Sequence, residues 1–183
     1  MSKTKKKKTG KIVLTIILIL LILGLAAVVA WWILMTPGYL TRSQAVTNYY
    51  KSISEEDKEL YKNTCYPKVW QDGYINGDAG IGIDAAIDVA FQFQSGATYG
   101  EVSINALEKL DKKYADKMAS EIMRLYGIEM QISSISKVNF VVKTNFEGAN
   151  DDSGTITRYV YMSNGKYYFL SDPDIIVLLD LEG

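Results

Sequence analysis

The sequence contains no histidine and a single cysteine among its 183 residues. Without histidine, the chain lacks the side chain that most often acts as a general acid or base near neutral pH and that most often ligates transition metals. Because one cysteine cannot form an intrachain disulfide, the fold depends on its core alone. Cys65 is expected to be a small buried residue, and a disulfide between two chains is the alternative.

Charge is absent from residues 12–35, which carry one hydroxyl, that of Thr15. At about 1.5 Å of rise per residue, a helix of this length is roughly 36 Å long, enough to cross a hydrocarbon layer of about 30 Å. Trp31 and Trp32, near the end of the segment, suit the aromatic belt of a membrane interface. The sequence therefore predicts a transmembrane helix over 12–35.

A basic segment precedes this helix. Its lysines are Lys3, Lys5, Lys6, Lys7, Lys8 and Lys11. Since positive charge beside the first transmembrane helix tends to stay in the cytoplasm, residues 1–11 are predicted to be a basic cytoplasmic tail. In isolation the tail also resembles a nucleic-acid patch, but its position beside an apolar span favours a role in topology and in contact with anionic lipid.

A secretory signal peptide is the alternative interpretation of the first 35 residues, because a basic start is followed by an apolar stretch and small residues. Val28 and Ala30 occupy positions that suit a cleavage site. The apolar run continues past them to Met35, however, and exceeds the usual apolar region of about 7 to 15 residues in a signal peptide. Retention as a membrane anchor is the favoured interpretation.

The 148 residues after the anchor have the size of one domain. They carry 14 Lys and Arg against 21 Asp and Glu, a net charge of about −7. An acidic surface argues against nucleic acid as a partner. The sequence predicts a short spacer over 36–40 and an extracytoplasmic domain over 41–183. Reliance on packing without disulfides suits a bacterial surface protein.

Helical patterns dominate the first part of this domain. Val46, Tyr49, Tyr50 and Ile53 repeat at the spacing of one helix face, and their helix is predicted to start near Thr41 or Ser43. A second helix is predicted to be capped by Ser54 and ended by Pro67, and a loop is predicted over 71–82. A third helix is predicted to be capped by Asp84, and a brief strand is predicted over 101–104. The fourth helix is predicted to begin at the pair Asn105 and Glu108, to carry Leu107 on its apolar face and to end at Gly127.

After Gly127 the hydrophobic period changes from 3.6 to 2. Alternation over 138–146 predicts a strand with one apolar face. The dipeptide Asn164-Gly165 predicts a type I′ hairpin between strands over 155–163 and 166–171. Its register pairs Met162 with Tyr167, Tyr161 with Tyr168, Val160 with Phe169, and Tyr159 with Leu170. The tail over 175–181 is predicted to dock as a short helix or as a last strand.

Two sets of aromatic residues are candidate binding sites. The hairpin register places three tyrosines on one face, namely Tyr159, Tyr161 and Tyr168. Since tyrosine combines a large rigid contact area with a polar tip, this face is predicted either to be lined by another part of the chain or to bind a partner. The second candidate is a pocket lined by Tyr61, Trp70, Phe91 and Phe93, although aromatic residues at such spacing more often belong to a core.

The order of elements resembles the nuclear-transport-factor-two-like superfamily of cystatin-like, cone-shaped domains. The likeness lies in the opening helix pair over 45–66 and in the closing hairpin over 163–170, whose Asn-Gly-Lys turn is followed by aromatic residues. The resemblance implies an α+β fold in which a curved antiparallel sheet wraps a long helix and leaves a pocket. Some relatives are enzymes that use Asp and His in that pocket, whereas many membrane-anchored bacterial relatives are not catalytic.

Because this chain has no histidine, we expect no enzymatic activity of that kind, and no motif in the sequence predicts a metal or cofactor site. The leading hypothesis is a single-pass membrane protein whose outer domain binds a protein partner or a second copy of itself. Such a protein serves as a scaffold or accessory subunit of a bacterial envelope-associated assembly, for example a secretion or conjugation complex. The alternative is a small-ligand or sensor module that uses the pocket.

Overall fold

The computed structural model describes residues 3–76, 83–94, 97–146 and 155–181. The chain divides into two compact units, Met1–Thr36 and Pro37–Gly183. The first unit contains helix α1 (Lys3–Met35), and the second is an α+β domain. The elements of the domain follow in the order α2 (Arg42–Ser54), α3 (Lys58–Cys65), α4 (Lys68–Asn76), α5 (Ile83–Gln94), β1 (Ala97–Lys109), α6 (Lys112–Tyr126), β2 (Ser134–Phe146), β3 (Thr155–Ser163), β4 (Lys166–Phe169) and α7 (Pro173–Leu178).

Helix α1 contains the predicted transmembrane segment and begins well before it. Within α1, the stretch Val13–Ile33 has a mean hydropathy of 3.2 and is long and apolar enough to cross a membrane. Its side chains are exposed, including those of Trp31 and Trp32. The basic segment forms the N-terminal turns of the same helix, so the lysine backbone continues the apolar helix without a break.

The four strands form one curled antiparallel sheet, a half-barrel in which each strand neighbours the next. The alternation predicted for β2 is confirmed, because Val138, Phe140 and Val142 are all 1% exposed or less. Strands β2 and β3 pair Ile135 with Tyr161. The sequence-based prediction of an α+β fold with an antiparallel sheet is therefore confirmed at this level.

The hairpin of β3 and β4 forms as predicted. Asn164 and Gly165 have φ angles of 50° and 74°, the left-handed conformation that a type I′ turn requires at both central positions. Three of the predicted pairs are observed: Met162 with Tyr167, Tyr161 with Tyr168, and Val160 with Phe169. One step further, the amide of Leu170 donates to the carbonyl of Tyr159 at 2.9 Å.

Helix α2 packs its apolar face on one side of the sheet. Thr41 caps the helix by accepting a hydrogen bond from the amide of Gln44. Tyr49 stacks on Phe169 with ring centroids 3.7 Å apart and planes 11° apart. Such ring pairs contribute about 0.5–1.5 kcal/mol beyond the burial of their area. The contact between α2 and the hairpin is therefore a central part of the core.

Helices α6 and α7 lie next to each other in the domain. Helix α6 begins at a cap from Asp111 and ends at Gly127, whose φ of 67° is the predicted left-handed cap. Asp172 caps α7 by accepting from the amide of Ile175, and it also accepts from the hydroxyl of Tyr126 at 2.6 Å. Burial raises the pKa of Asp172, although both hydrogen bonds act in the opposite direction. The predicted short helix at the tail is observed.

Two predicted helix starts are wrong. One lies in a strand of the sheet, and at the other a different residue caps the helix. Asn105 and Glu108 lie in β1, a strand of thirteen residues of which ten, including Glu108, are in register with β2. Leu107, placed by the sequence on a helix face, is consequently a strand residue that is 51% exposed. Ser54 ends α2, and its hydroxyl accepts from the amide of Tyr99 at 2.8 Å. Asp57 supplies the cap of α3.

The region after Pro67 is more helical than its sequence suggests. Residues 71–76, predicted as loop, complete α4, and the amide of Trp70 already donates to the carbonyl of Pro67 at 2.9 Å. Proline is favourable at a helix start, so Pro67 opens α4 besides ending α3. Asp84 lies in the first turn of α5. The remainder of the predicted loop, 77–82, and the predicted acidic loop over 148–154 lie outside the described residues.

Part of the predicted spacer belongs to the folded domain. The amide of Gly38 donates to the carbonyl of Asn63 at 3.0 Å, and Tyr39 exchanges two backbone hydrogen bonds with Tyr167 at 3.0 and 2.8 Å. Tyr39 thereby adds an isolated bridge to the outer side of β4. The hydroxyl of Tyr168 donates to the carbonyl of Pro37 at 2.8 Å. The folded domain thus begins at Pro37.

Replacing Gly38 with alanine is expected to destabilise the domain more than replacing Gly127 with alanine. Both glycines have positive φ, so each substitution carries a backbone cost of about 1–2 kcal/mol. An added Cβ at Gly38 would lie 2.5 Å from the buried ring of Tyr168, whereas at Gly127 nothing lies within 4 Å. Denaturant unfolding of both variants measures the difference, and equal losses would contradict the packing at Gly38.

Candidate functional site

The three candidate tyrosines of the hairpin are buried: Tyr159, Tyr161 and Tyr168 are 6%, 0% and 3% exposed. The rings of Tyr161 and Tyr168 stack with centroids 5.4 Å apart. The hydroxyl of Tyr161 donates to the carbonyl of Cys65 at 2.5 Å. Of the two expectations for this face, the structure therefore shows the first, in which other parts of the chain cover it. These rings are not presented to a partner in this fold.

The second candidate set also lies largely in the core. Tyr61 and Trp70 are 3% and 1% exposed. The ring of Tyr61 contacts that of the half-buried Phe91 at 5.3 Å, and Trp70 contacts Tyr126 at 5.7 Å. These rings pack against other rings and help to join α3, α4, α5 and α6. The side chain of Phe93 lies outside the described residues.

Cys65 is a buried thiol at the end of α3. Burial of the thiol raises its pKa to about 12. The thiolate, not the thiol, is the nucleophile and the metal ligand, so a raised pKa suppresses both kinds of chemistry. The expectation of a small buried residue at this position is confirmed.

Cys65 is expected to be inert to thiol reagents in the folded protein. Because the raised pKa lowers the thiolate fraction, its reaction with Ellman's reagent at pH 8 should be on the order of 100-fold slower than in the denatured chain. Comparing the folded protein with the protein in guanidinium chloride measures this ratio. Similar rates would contradict the burial and would restore a disulfide between chains as an explanation for this cysteine.

An open groove lies where β3 extends beyond β4. Its volume is about 420 Å³. The lining residues are Thr155, Ile156, Thr157, Arg158 and Tyr159 of β3, with Ile176 of α7 and Leu181 beyond it. Arg158 is the charged residue among them. Its guanidinium donates to the backbone carbonyl of Thr157 at 2.8 Å.

The side of the groove formed by α7 is held firmly. Asp172 fixes the start of α7 through its bonds to Ile175 and Tyr126, and Ile175 is fully buried. The amide of Leu181 donates to the carbonyl of Ile176 at 3.3 Å, which positions the chain after the helix. The groove is therefore present in the folded domain without any rearrangement.

The sequence contains a signal for this groove that hydrophobic patterns do not reveal. The hairpin has arms of unequal length, because β3 has nine residues and β4 has four. Asp172 and Pro173 begin α7 directly after the short arm. A long strand opposite a short one leaves part of the long strand without a partner on that side.

The carboxylates of α5 form ion pairs with lysines of α3. Within the described residues, no group of three or more His, Cys, Asp or Glu side chains could hold a metal ion. The acidic side chains Asp84 and Asp88 of α5 are instead paired with Lys62 and Lys58 of α3, at 3.2 and 2.5 Å. These pairs are exposed and contribute little to stability.

Comparisons with known protein families, with curated proteins and with solved structures found no match. The resemblance to the nuclear-transport-factor-two-like superfamily remains a prediction from the sequence. The features that bear on function are then the apolar helix α1, the acidic domain and the groove beside Arg158.

Proposed function

We propose that the protein is a single-pass membrane protein whose α+β domain lies outside the cytoplasm and works by binding another protein. The observation that carries this proposal is helix α1, in which Val13–Ile33 has a mean hydropathy of 3.2 and exposed apolar side chains along its length. Lipid is the environment that such a surface favours. A cleaved signal peptide is the competing explanation, and the length of the apolar run argues against it.

The orientation follows from charge. Six lysines precede the apolar stretch, and all 21 acidic residues of the chain follow it. Since Lys and Arg near the first membrane helix are retained in the cytoplasm, residues 1–11 are assigned there and the domain from Pro37 onwards is assigned to the outside. Trp31 and Trp32 then lie at the outer interface, where tryptophan is enriched.

Binding suits the domain better than catalysis does. The chain has no histidine, and burial suppresses the reactivity of its one thiol. The groove beside Arg158 supplies a polar and apolar surface for recognition. We therefore assign the protein as a scaffold or accessory subunit of a bacterial envelope-associated assembly, such as a secretion or conjugation complex.

The fold is also consistent with a divergent member of the nuclear-transport-factor-two-like superfamily. Support comes from the helices that precede the sheet, the curled antiparallel strands and the Asn-Gly hairpin that ends in aromatic residues. In that superfamily the sheet and the helices enclose a pocket. Here Tyr61 and Trp70 fill the core, so the groove at β3 is the better candidate for recognition.

Crosslinking in intact membranes tests the binding role. The full chain should form discrete crosslinked species, with a second copy or with another envelope protein, at sites in residues 37–183. A chain that retains residues 1–40 and lacks the domain is the matched control and should form none of them. Identical species from both chains, or none from the full chain, would contradict a binding role for the domain.

A further inference from the structure

Among the described residues, those of β3 next to the groove have a hydrogen-bonded neighbouring strand on one side only. Strand β2 pairs with β3 along its length, from Val141 opposite Thr155 to Ser134 opposite Met162. Strand β4 pairs only with the second half, and its side of the ladder ends at the bond from the amide of Leu170 to the carbonyl of Tyr159. Within the part of the chain that the structure describes, the segment 155–158 therefore forms an open edge.

The alternation of the strand shows which backbone groups this edge presents. In an antiparallel ladder, the N–H and C=O of one residue point to the same side, and those of the next residue point to the other. The carbonyl of Tyr159 points towards the side of β4, so the backbone groups of Thr157 and Thr155 point that way as well. Two donors and two acceptors are thus directed into the groove.

Within the described residues, the contact that these groups receive comes from Arg158, whose guanidinium donates to the carbonyl of Thr157. This bond occupies the position that the N–H of an adjacent strand would take. The side chain of Thr157 is held separately, because its hydroxyl donates to Asn139 on β2 at 2.9 Å. Among the described residues, the edge is therefore covered by one exposed arginine, whose charge also acts on the hydroxyl of Tyr50.

The other open edge of the sheet is less suited to strand addition. Strand β1 is interrupted by register shifts between Tyr99 and Val102 and between Ile104 and Ala106. Irregularities of this kind, together with exposed charged residues such as Glu101 and Glu108, are how proteins prevent pairing at an edge. The edge at 155–158 has no such shift in its pairing with β2.

We infer that the open edge at Thr155 and Thr157 binds an extended peptide segment of a partner protein, which adds as a strand in line with β4 and carries an acidic side chain for Arg158. This inference rests on the proposed binding function and specifies its surface. Addition of a strand would supply up to four backbone hydrogen bonds, and every second side chain of the bound peptide would lie in the groove.

The chemistry of the groove defines the side chains of that segment. The ring of Tyr161 contacts that of Trp70, and Trp70 contacts Tyr126. Because the hydroxyl of Tyr126 donates to Asp172 at the start of α7, this helix lies on the face of the sheet that carries Tyr161. Alternation along the strand places Thr157 on the same face. A peptide residue opposite Thr157 therefore points towards Ile176 and Leu181 and should be apolar. Its neighbour points to the face of Arg158 and should be Asp or Glu, since the guanidinium pairs well with a carboxylate.

A preference for an acidic peptide is opposite to the preference that the net charge of this domain predicts. With a net charge of about −7 after residue 35, the domain as a whole attracts basic peptides. An acidic residue will be preferred only if it pairs locally with Arg158. The sign of the charge preference therefore separates binding at this edge from general electrostatic attraction.

The test uses the full chain in lipid nanodiscs and a pool of ten-residue peptides in which Val, Ile or Leu alternates with Thr and one central position is Asp or Glu. A second pool has Lys at that position. Residue-resolved hydrogen exchange should slow at least tenfold at the amides of Thr155 and Thr157 with the acidic pool, and less at Ile156 and Arg158, whose amides point towards β2. The acidic pool should bind at least tenfold more tightly than the lysine pool.

Two variants and one control make the test specific. Thr157→Pro removes an N–H that the ladder with β2 does not use and should abolish the protection. Thr157→Val keeps the N–H, removes the hydroxyl and should retain it. Arg158→Gln, at an exposed position, should bind both pools equally. No protection with either pool, protection elsewhere, or tighter binding of the lysine pool would overturn the inference. Detachment of the protein by a carbonate wash would instead contradict the membrane anchor and leave this edge unaffected.

Discussion

Replacing Leu20 and Leu23 with arginine is expected to remove the protein from the membrane. Both residues lie near the middle of Val13–Ile33, and their side chains are 61% and 60% exposed. On the scale for insertion of helices into membranes, Arg at the centre of a helix costs about 2.5–3.5 kcal/mol, whereas Leu contributes a few tenths in favour. The double substitution therefore disfavours insertion by about 6–8 kcal/mol. Immunoblots of membrane and soluble fractions measure the change.

The control for this experiment is the double variant Leu20→Ala and Leu23→Ala. It shortens the same side chains but adds no charge, so the protein should remain in the membrane fraction. If the arginine variant also remains there after extraction with carbonate, the apolar helix is not the feature that holds the protein in the membrane.

Replacing Phe169 with alanine is expected to cause one of the largest losses of stability in the domain. Phe169 is 1% exposed, and its ring stacks on Tyr49 and meets the edge of Tyr50 at 6.2 Å. Removal of a buried phenylalanine ring typically costs about 3–5 kcal/mol, because the lost burial adds to the cost of the cavity. Denaturant unfolding of the full chain in detergent, followed by circular dichroism, measures the change in the free energy of unfolding.

Val177→Ala is the matched control for this substitution. Val177 lies on α7 and is 63% exposed, so its truncation should change stability by no more than about 0.5 kcal/mol. A loss below about 1 kcal/mol for Phe169→Ala would show that the hairpin does not pack on α2 as described.

The hairpin and α2 could be predicted from the sequence because local and long-range preferences agree there. Asn164-Gly165 fixes the turn and therefore the register, and Tyr49 and Tyr50 lie on the single apolar face of α2. Where the two kinds of preference conflict, local patterns fail. Asn105 and Glu108 have the spacing of a helix start, yet the pairing of Glu108 and of both neighbours of Asn105 with β2 keeps this segment in a strand.

The site was harder to predict because burial depends on elements that are distant in the sequence. Periodicity places Tyr161 and Tyr168 on one face, but it does not show that Pro37, Cys65 and Trp70 cover that face. The open edge at Thr157 similarly depends on where the chain leaves the sheet after β4 to form α7. The pair Asp172 and Pro173, which begins α7 soon after β4, is the sequence feature that points to such an edge.

Protease accessibility of the intact cell surface tests the central claim most directly. In intact cells, an added protease should cleave the chain within residues 37–183, and the fragment that contains α1 should stay with the membrane during a carbonate wash. Protection of the domain until the cells are lysed would contradict its placement outside the cytoplasm, and release of the fragment by carbonate would contradict the anchor.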